Sequence, residues 1–227
     1  MKFKNFKRSK KRVDRQYISI RRWLVYNRWH KEAIGRVKKI PVLFKVNYGN
    51  GKLLSDTVAS GFEWVMMGEG EATEKVDGAA CAIIDGALYR RYDANVKKGR
   101  KPPLEGIPCQ PEADPYTGHW PFWVKVMRGI PSDAHFERAF DNSPWCREDG
   151  TYEAVGLHFQ SNPYGLDDDF LEKHGRIKIK NLTRTYDGIY EYLATHEIEG
   201  IVFWKDGEPQ CKIRRRDFGL EWPIKHG

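Results

Sequence analysis

Glu74-Lys75-Val76-Asp77-Gly78 is the segment from which the fold and function of this 227-residue chain are best worked out. It follows a loop rich in glycine and glutamate and leads directly into an apolar run at residues 79–84. A neutral lysine amine can attack a phosphorus atom and hold the transferred group covalently as a phosphoramide. A solvated turn can contain the same residues, so the pattern becomes informative only if the chain supplies partners for Lys75.

The apolar run after this motif predicts a β-hairpin. Residues 79–84 and 87–93 flank Asp85-Gly86, a dipeptide typical of two-residue turns between antiparallel strands. We therefore expect Lys75 at the entrance to a hairpin, with Arg91 on its second strand. Short strands combined with few helices predict an α+β fold with antiparallel sheets. Other elements predicted from the same patterns are strands at about residues 120–124 and 151–157, and helices at about residues 132–141 and 187–195.

A second hairpin is predicted at residues 199–216. Pairing outward from its turn at residues 205–208 makes the numbers of opposed residues sum to 413, so Glu199 is expected opposite Arg214. Period-two alternation then puts Glu199, Lys212 and Arg214 on one face of the sheet. One carboxylate beside two cations suits a phosphate or metal site. Ion-pair ladders on protein surfaces show the same pattern, and the spacing alone leaves both interpretations open.

These side chains would complete the chemistry of a nucleophilic lysine. Such a lysine has to lose its proton, although its ordinary pKa is about 10.4. Lys212 and Arg214 would lower this pKa by charge repulsion and would also bind a phosphate. A Mg²⁺ or Mn²⁺ ion would prefer carboxylates, for which Glu199 is the first candidate and Asp77 the second. Candidates for contacts with a phosphate or with ribose oxygens are Arg91 and Glu153.

The positive charge of the chain is concentrated at its N-terminus. The net charge is +8, made up of +13 in residues 1–40 and −5 in the remainder. Trp23, Tyr26 and Trp29 lie among these cations, and such a mixture suits a phosphate backbone with unstacked bases. A solubilising tail or a packing helix would show the same composition. We expect a basic, partly helical extension at residues 1–40 that contacts nucleic acid, and a catalytic domain at residues 41–227.

The rest of the composition indicates the compartment. No apolar run reaches the roughly 18 residues that a membrane helix needs, and no apolar segment follows the basic N-terminus as in a secretory signal. The four cysteines lack Cys-x-x-Cys spacing, which argues against a zinc site or a disulfide framework and for a reducing compartment. We therefore expect a cytoplasmic monomer that does not contact membranes.

Taken together, the motifs resemble those of the covalent lysine nucleotidyltransferases, which include ATP-dependent DNA and RNA ligases and the capping guanylyltransferases. The matching segments, in order, are Lys75-Val76-Asp77-Gly78, Arg91, Tyr152-Glu153-Ala154-Val155-Gly156, Glu199-Gly200-Ile201-Val202 and Lys212-Ile213-Arg214. More specifically, the chain resembles the vertebrate 5′–3′ RNA ligases of the RNA ligase 1 type over about residues 40–225. The additional matches are Ala72-Thr73-Glu74, Gly118-His119, Trp123-Val124, Asn162-Pro163-Tyr164-Gly165-Leu166, Gly219-Leu220 and Trp222-Pro223.

The resemblance implies an ATP-dependent RNA ligase that uses Mg²⁺ or Mn²⁺. Lys75 would take AMP from ATP, AMP would pass to an RNA 5′-phosphate, and an RNA 3′-hydroxyl would then displace it. The resemblance implies contacts of Glu74 with adenine, of Glu153 with ribose, of Glu199 with the metal, and of Lys212 and Arg214 with phosphate. Arg214 departs from the family, in which this position is usually lysine: arginine keeps the positive charge but does not reproduce the point contact of a lysine.

Two alternatives stay open at this point. A DNA ligase or a capping-type guanylyltransferase would use the same motifs, but both carry a C-terminal OB-fold. Only about a dozen residues follow the last motif here, so we expect no OB-fold. The second alternative is a non-catalytic RNA-binding protein on the same fold.

Overall fold

The computed structural model describes residues 39–47 and 53–224 of the chain. This part is made of short strands with three α-helices, which confirms the predicted mixture of antiparallel sheets and few helices. The strands are β1 Phe44–Asn47, β2 Leu53–Val58, β3 Glu71–Lys75, β4 Ala79–Ile84, β5 Ala87–Asn95, β6 Ile107–Pro108, β7 His119–Lys125, β8 Gly150–Val155, β9 Phe170–Lys173, β10 Gly200–Lys205 and β11 Glu208–Arg214. The helices are α1 Glu63–Met66, α2 Ala134–Asp141 and α3 Tyr186–Thr195.

The described strands form three sheets in which all strand pairs are antiparallel. The three-stranded sheet has the order β11-β10-β3, the six-stranded sheet has the order β6-β7-β5-β4-β8-β9, and β1 pairs with β2. β3 and β4 belong to different sheets although only three residues separate them. The Lys75 motif therefore lies where the chain crosses from one sheet to the other.

Each of the two larger sheets packs one face against a helix. The three-stranded sheet buries Ile201 and Phe203 together with Leu193 of α3, and all three side chains are fully buried. The six-stranded sheet buries Tyr152 together with Ala139 of α2. Burying one large aliphatic or aromatic side chain contributes roughly 1.5–3 kcal/mol, so these packed faces fix the orientation of each sheet. The face of the three-stranded sheet that points away from α3 carries Lys75, Lys212 and Arg214, together with Thr73, Val202 and Trp204.

The hairpin predicted around Asp85-Gly86 is confirmed. Ile84 pairs with Ala87, and Asp85 and Gly86 have φ values of 52° and 72°. Positive φ at both positions is what a two-residue type I′ turn requires. The Asp149 carboxylate accepts the backbone N–H groups of both turn residues at 3.0 and 3.2 Å, which holds this end of the hairpin in place.

Other predicted elements also match the structure. The strands expected at residues 120–124 and 151–157 correspond to β7 and β8, and the helices expected at residues 132–141 and 187–195 correspond to α2 and α3. Strand β9 was not predicted, because its four residues contain only two apolar side chains. Within the described residues, no helix has the length and apolar character needed to cross a membrane.

The second hairpin forms, but its predicted register is wrong beyond the turn. Trp204 faces Pro209 as expected, whereas Ile201 faces Ile213, so the sum of opposed residue numbers increases by one. Gln210 is therefore an extra residue in β11, next to a proline that has no N–H to donate. The shifted register pairs Ile213 with Ile201 inside the core, and burial of both side chains outweighs regular pairing.

This shift also corrects the expected neighbour of Glu199. Arg215, and not Arg214, pairs with Glu199 through its backbone N–H, which donates to the Glu199 carbonyl oxygen at 2.9 Å. Lys212 and Arg214 still share a face, because they are two residues apart on the same strand.

Residues 41–43 extend the three-stranded sheet beyond β11. Lys212 N–H donates to the Pro41 carbonyl oxygen at 3.0 Å, and Leu43 N–H donates to the Lys212 carbonyl oxygen at 2.8 Å. The division near residue 40 stays a prediction, since residues 1–38, with their expected helix, lie outside the described residues.

Candidate active site

Lys75 is the last residue of β3 and lies opposite Gly200 of β10. Gly200 allows close packing of β11, because a Cβ at this position would lie 2.3 Å from the Ile213 carbonyl oxygen. Lys75 Nζ donates a hydrogen bond to Glu199 Oε2, and the two side chains form an ion pair. The side chains are 23% and 7% exposed, so the pair is largely shielded from water. Shielding strengthens the attraction between the two charges.

Lys212 and Arg214 of β11 lie on the same face of the sheet as Lys75. Arg214 is opposite Gly200, Gly200 is opposite Lys75, and directly opposed residues of antiparallel strands share a face. Burial lowers the pKa of Lys212 to about 8, helped by the positive charges of Arg214 and Lys75. The negative charge of Glu199 opposes this shift of the Lys212 pKa. The face thus combines three cations with the Glu199 carboxylate.

Arg214 is held by a carboxylate of its own. Its Nε and Nη2 atoms donate to the two oxygens of Asp217 at 2.9 and 2.6 Å. Asp217 also accepts the backbone N–H of Arg214 at 2.9 Å. This bidentate contact fixes the guanidinium group in one orientation and offsets part of its charge. Lys212 is therefore the less neutralised of the two cations on β11.

Asp77 is bound through both its backbone and its side chain. Its backbone N–H donates to the Tyr164 hydroxyl at 2.6 Å. Its Oδ2 atom accepts a hydrogen bond from Trp222 Nε1 at 2.8 Å. Tyr164 lies in the loop between β8 and β9, and Trp222 follows β11, so two distant segments meet at the Lys75 motif.

Gly78 lies where two chain segments come too close together to leave room for a side chain. A Cβ at this position would lie 2.2 Å from the Ala154 carbonyl oxygen and 2.9 Å from Glu153 Cγ. Gly78 also accepts a hydrogen bond at its carbonyl oxygen from Gln160 Nε2 at 3.1 Å. The glycine of the motif therefore lets the chain pass directly over β8 as it enters β4, which brings Glu153 next to the lysine segment.

Glu153 lies beside the Asp77 and Glu199 carboxylates. His174 Nε2 is 2.7 Å from Glu153 Oε2, and the Glu153 side chain is only 12% exposed. Burial raises the pKa of Glu199, and the negative charges of Asp77 and Glu153 raise it further. The contact with Lys75 acts in the opposite direction on the Glu199 pKa. Asp77 and Glu153 therefore both lie within electrostatic reach of the Glu199 carboxylate.

The two remaining predicted site residues are Glu74, which points away from Lys75, and Arg91, which shares a face of the six-stranded sheet with Glu153 across β4. Glu74 is opposite Ile201, so its side chain leaves β3 on the face opposite to that of Lys75. Burial raises the pKa of Glu74, with a further increase from the Glu172 charge. Arg91 forms an ion pair with Asp93, with 3.1 Å between Nε and Oδ1. The roles expected for Glu74 at adenine and for Arg91 at phosphate or ribose therefore stay predictions.

No local sequence pattern connects Tyr164, Trp222, His174 or Asp217 with Lys75. Tyr164 and Trp222 lie 87 and 145 residues away from Asp77 along the chain. Their segments stood out only as matches to a family. Contacts over such separations depend on how the two sheets are placed, which no local pattern encodes.

A group of histidines lies elsewhere, on the side of the six-stranded sheet that faces α2. Atoms of His135, His158 and Asp169 capable of binding a metal lie within 4.8 Å of one another. The rings of His135 and His158 are stacked, with centroids 3.8 Å apart and an interplanar angle of 13°. A bound metal lies in the plane of each imidazole ligand, and two nearly parallel rings share no such point. His158 Nδ1 instead forms a hydrogen bond with Oδ2 of buried Asp169, at 2.8 Å.

Comparison with known proteins shows similarity to two mammalian proteins. One is RNA ligase 1 of Mus musculus, 29% identical over 141 residues, which cover 48% of this chain and 43% of the relative. The other is RNA ligase 1 of Rattus norvegicus, 34% identical over 84 residues, which cover 33% of this chain and 26% of the relative. A scan against models of protein families finds no match. The similarity thus spans less than half the length of either relative, and in general terms it points to the RNA ligases.

Proposed function

We propose that this protein is an ATP-dependent RNA ligase that joins RNA 5′-phosphate and 3′-hydroxyl ends through a covalent intermediate on Lys75. The observation that carries the proposal is the contact of Lys75 Nζ with the buried Glu199 carboxylate, on a sheet face that also presents Lys212. The similarity to two proteins named RNA ligase 1 supports the same class of activity.

In the first proposed step, Lys75 Nζ attacks the α-phosphorus of ATP. A nitrogen–phosphorus bond forms, and the bond from the α-phosphorus to the oxygen of the departing pyrophosphate breaks. Lys75 has to lose a proton first, and Glu199 Oε2 already accepts a hydrogen bond from Nζ. Because burial raises the pKa of Glu199, this carboxylate is a better proton acceptor than an exposed one.

Lys212 and Arg214 suit the negative charge of the triphosphate. Lys212 has a lowered pKa of about 8, so an anion beside it would restore the charged form. Arg214 already has a fixed orientation from Asp217 and presents the remaining guanidinium N–H groups. Together, these two cations on one face would hold the α-phosphate in line with Lys75.

The carboxylates also fit a Mg²⁺ or Mn²⁺ ion. Such ions prefer oxygen ligands, and the charges of Asp77 and Glu153 raise the pKa of the buried Glu199, a repulsion that a divalent cation would relieve. We propose Glu199 and Asp77 as the residues that hold the ion. When bound, the ion would neutralise charge on the triphosphate and assist departure of pyrophosphate.

The later steps transfer AMP and seal the RNA. A 5′-phosphate oxygen of RNA attacks the phosphorus of the lysine adduct and frees the Lys75 amine. The 3′-hydroxyl oxygen of the second RNA end then attacks that 5′-phosphate, a phosphodiester bond forms and AMP leaves. We propose that Glu153 contacts the ribose of ATP, Glu74 its adenine and Arg91 a phosphate or ribose oxygen, and that residues 1–40 bind RNA.

We also propose that the protein acts as a monomer inside the cell. Its four cysteines are free and buried, which is compatible with a reducing compartment.

Incubation of the purified protein with α-labelled ATP and Mg²⁺ tests the first step. We expect an acid-labile label on the wild-type protein and none on Lys75→Ala, with a labelled RNA product once 5′-phosphorylated RNA is added. Labelling by GTP in place of ATP would support a guanylyltransferase. Sealing of nicked DNA in preference to RNA would support a DNA ligase, and RNA binding without any labelling would support the non-catalytic alternative.

A further inference from the structure

Two aromatic side chains from distant parts of the chain form hydrogen bonds with Asp77. Tyr164 accepts the Asp77 backbone N–H at its hydroxyl, at 2.6 Å, and Trp222 donates its indole N–H to Asp77 Oδ2, at 2.8 Å. The two rings also contact each other, with centroids 6.0 Å apart. We call Tyr164 and Trp222 the aromatic clasp. It acts on the segment that connects Lys75 to Gly78, at the crossing between the two sheets.

The Tyr164 side of the clasp is anchored by its own loop. Asn162 Nδ2 donates to the Leu166 carbonyl oxygen at 2.9 Å, and Leu166 N–H donates to Asn162 Oδ1 at 3.0 Å. These reciprocal bonds close the turn that carries Tyr164. The hydroxyl therefore meets Asp77 from a preformed loop, without an additional loss of chain entropy when the site is used.

The Trp222 side of the clasp is anchored by a buried arginine. Arg215 is 6% exposed, and its Nε atom donates to the Glu221 carbonyl oxygen at 2.8 Å. Its Nη1 atom donates to the His196 carbonyl oxygen at 2.9 Å, which ties the segment to the end of α3. A buried arginine with several carbonyl partners fixes the backbone on both sides of it. Trp222 is thus presented to Asp77 by a rigid support.

The chemistry of the clasp leaves the charge of Asp77 intact. The indole N–H is a neutral donor that orients a carboxylate without adding a positive charge. An arginine or lysine in its place would neutralise Asp77 and would compete with Lys75 and a metal ion for it. Burial raises the pKa of the Tyr164 hydroxyl well above its ordinary value, so this partner also stays neutral. Both contacts therefore fix position and leave the negative charge available to the site.

We propose that Trp222 and Tyr164 are positioning residues for lysine adenylylation, and that they hold Asp77 at the distance from Glu199 and Lys75 that attack on ATP requires. This inference rests on the proposed function. The clasp contacts Asp77 and would not contact the phosphates of ATP. We therefore expect it to affect the rate of the chemical step more than the binding of ATP. Loss of the Trp222 bond to the Asp77 carboxylate costs about 1.5–3 kcal/mol, which corresponds to a rate loss of roughly 10- to 100-fold. Loss of the Tyr164 hydroxyl leaves the neutral Asp77 N–H without its partner and costs about 1–3 kcal/mol, a rate loss of roughly 5- to 100-fold.

The test compares Trp222→Phe and Tyr164→Phe with the wild-type protein in single-turnover labelling by α-labelled ATP. Each change keeps an aromatic ring and removes one hydrogen-bonding group. Trp145→Phe is the matched control, because Trp145 is 64% exposed and belongs to no part of the site. We expect the maximal labelling rate to fall about 10-fold or more in Trp222→Phe and about fivefold or more in Tyr164→Phe. We expect the half-saturating ATP concentration to change less than about threefold, and the control to label like the wild type.

A purely structural role would instead lower the melting temperature or reduce the active fraction, with a normal rate in the molecules that label. Either result, or wild-type labelling rates in both clasp variants, would overturn the proposal. Absence of labelling in the wild type itself would count against the proposed function and not against the clasp. The contact can then be tested without activity, since Asp77→Ala should shift the indole ¹H–¹⁵N resonance of Trp222. An unshifted resonance would show that the contact does not form.

Discussion

Lys75 and Glu199 form an ion pair between residues 124 positions apart in the sequence. The pair closes the ends of β3 and β10, which lie side by side in the three-stranded sheet. A lysine paired with a buried carboxylate is held in place and is also given a proton acceptor. In the proposed mechanism, this contact holds the amine in place and lets Glu199 accept its proton.

Glu199→Gln should slow adenylylation of Lys75 strongly. Glutamine keeps the size of the side chain and can still accept a hydrogen bond, but it cannot take up a proton or balance the charge of Lys75. We expect the labelling rate with α-labelled ATP to fall by roughly 10²-fold or more, the range typical of a lost acid–base group. Glu208→Gln, an exposed change at the turn end of the same hairpin, is the control. Equal rates in Glu199→Gln and the wild type would exclude the proton-acceptor role.

Gly78→Ala should destabilise the protein more than the same replacement at Gly86. The new methyl group would lie 2.2 Å from the Ala154 carbonyl oxygen, so β4 and β8 would have to move apart. Overpacking of this kind costs about 1–3 kcal/mol of unfolding free energy, and sometimes more. Urea denaturation followed by tryptophan fluorescence measures the loss.

Gly86→Ala provides the comparison for this prediction. Nothing lies within 4 Å of a Cβ at residue 86, and the cost there comes only from its φ of +72°. We expect about 1 kcal/mol for that backbone strain. A smaller loss in Gly78→Ala than in Gly86→Ala would show that the site tolerates separation of the two strands.

Local patterns in the sequence predicted the individual strands, turns and helices better than the way in which they pair and pack. Asp85-Gly86 determines its own turn through positive φ values at both residues, so the hairpin could be predicted from two residues. The register of the second hairpin depends on Gln210, whose bulge follows from burial of Ile213 opposite Ile201. Alternation alone does not contain that information, and the prediction placed Glu199 opposite the wrong residue.

The candidate site could be predicted only in part, because it too depends on how distant segments pack together. Lys75, Glu199 and Lys212 could be grouped by the chemistry that a nucleophilic lysine needs, whereas the pairing of β3 with β10 that brings them together is not encoded by a local pattern. The partners of Asp77 could not, because Tyr164 and Trp222 reach it from a loop and from a segment after the last strand. Strand alternation puts the side chains of Glu74 and Lys75 on opposite faces of β3. It does not tell which of the two faces packs against α3.

Lys212 should make the stability of the protein depend on alkaline pH. Its pKa is about 8 in the folded protein and about 10.4 in an unfolded chain, so between these values the unfolded chain binds more protons. The free energy of unfolding should therefore rise as pH increases from about 8 to 10.4. Lys212→Met should be more stable than the wild type at pH 7 and should lose this rise. Denaturation of both proteins across this pH range measures the difference.

Lys98→Met, a change at an exposed lysine, is the control for the pH series. It should leave the pH dependence of unfolding like that of the wild type. ATP offers a second measurement, because a bound triphosphate should raise the pKa of Lys212 towards its ordinary value. Calorimetry in two buffers of different ionisation enthalpy should then show proton uptake near pH 8.5 in the wild type, and less of it in Lys212→Met. Equal uptake in both proteins would place the triphosphate away from Lys212.

Deletion of residues 1–36 should separate RNA sealing from lysine adenylylation. This segment carries most of the positive charge of residues 1–40, so its loss should weaken contacts with the phosphate backbone and leave the ATP site complete. We expect labelling by ATP to stay within about twofold of the wild type and sealing of 5′-phosphorylated RNA at 0.15 M salt to fall more than about tenfold. The salt dependence of RNA binding should become shallower, since fewer counterions are released. An equal loss of labelling and sealing would instead indicate that the segment is part of the folded catalytic domain.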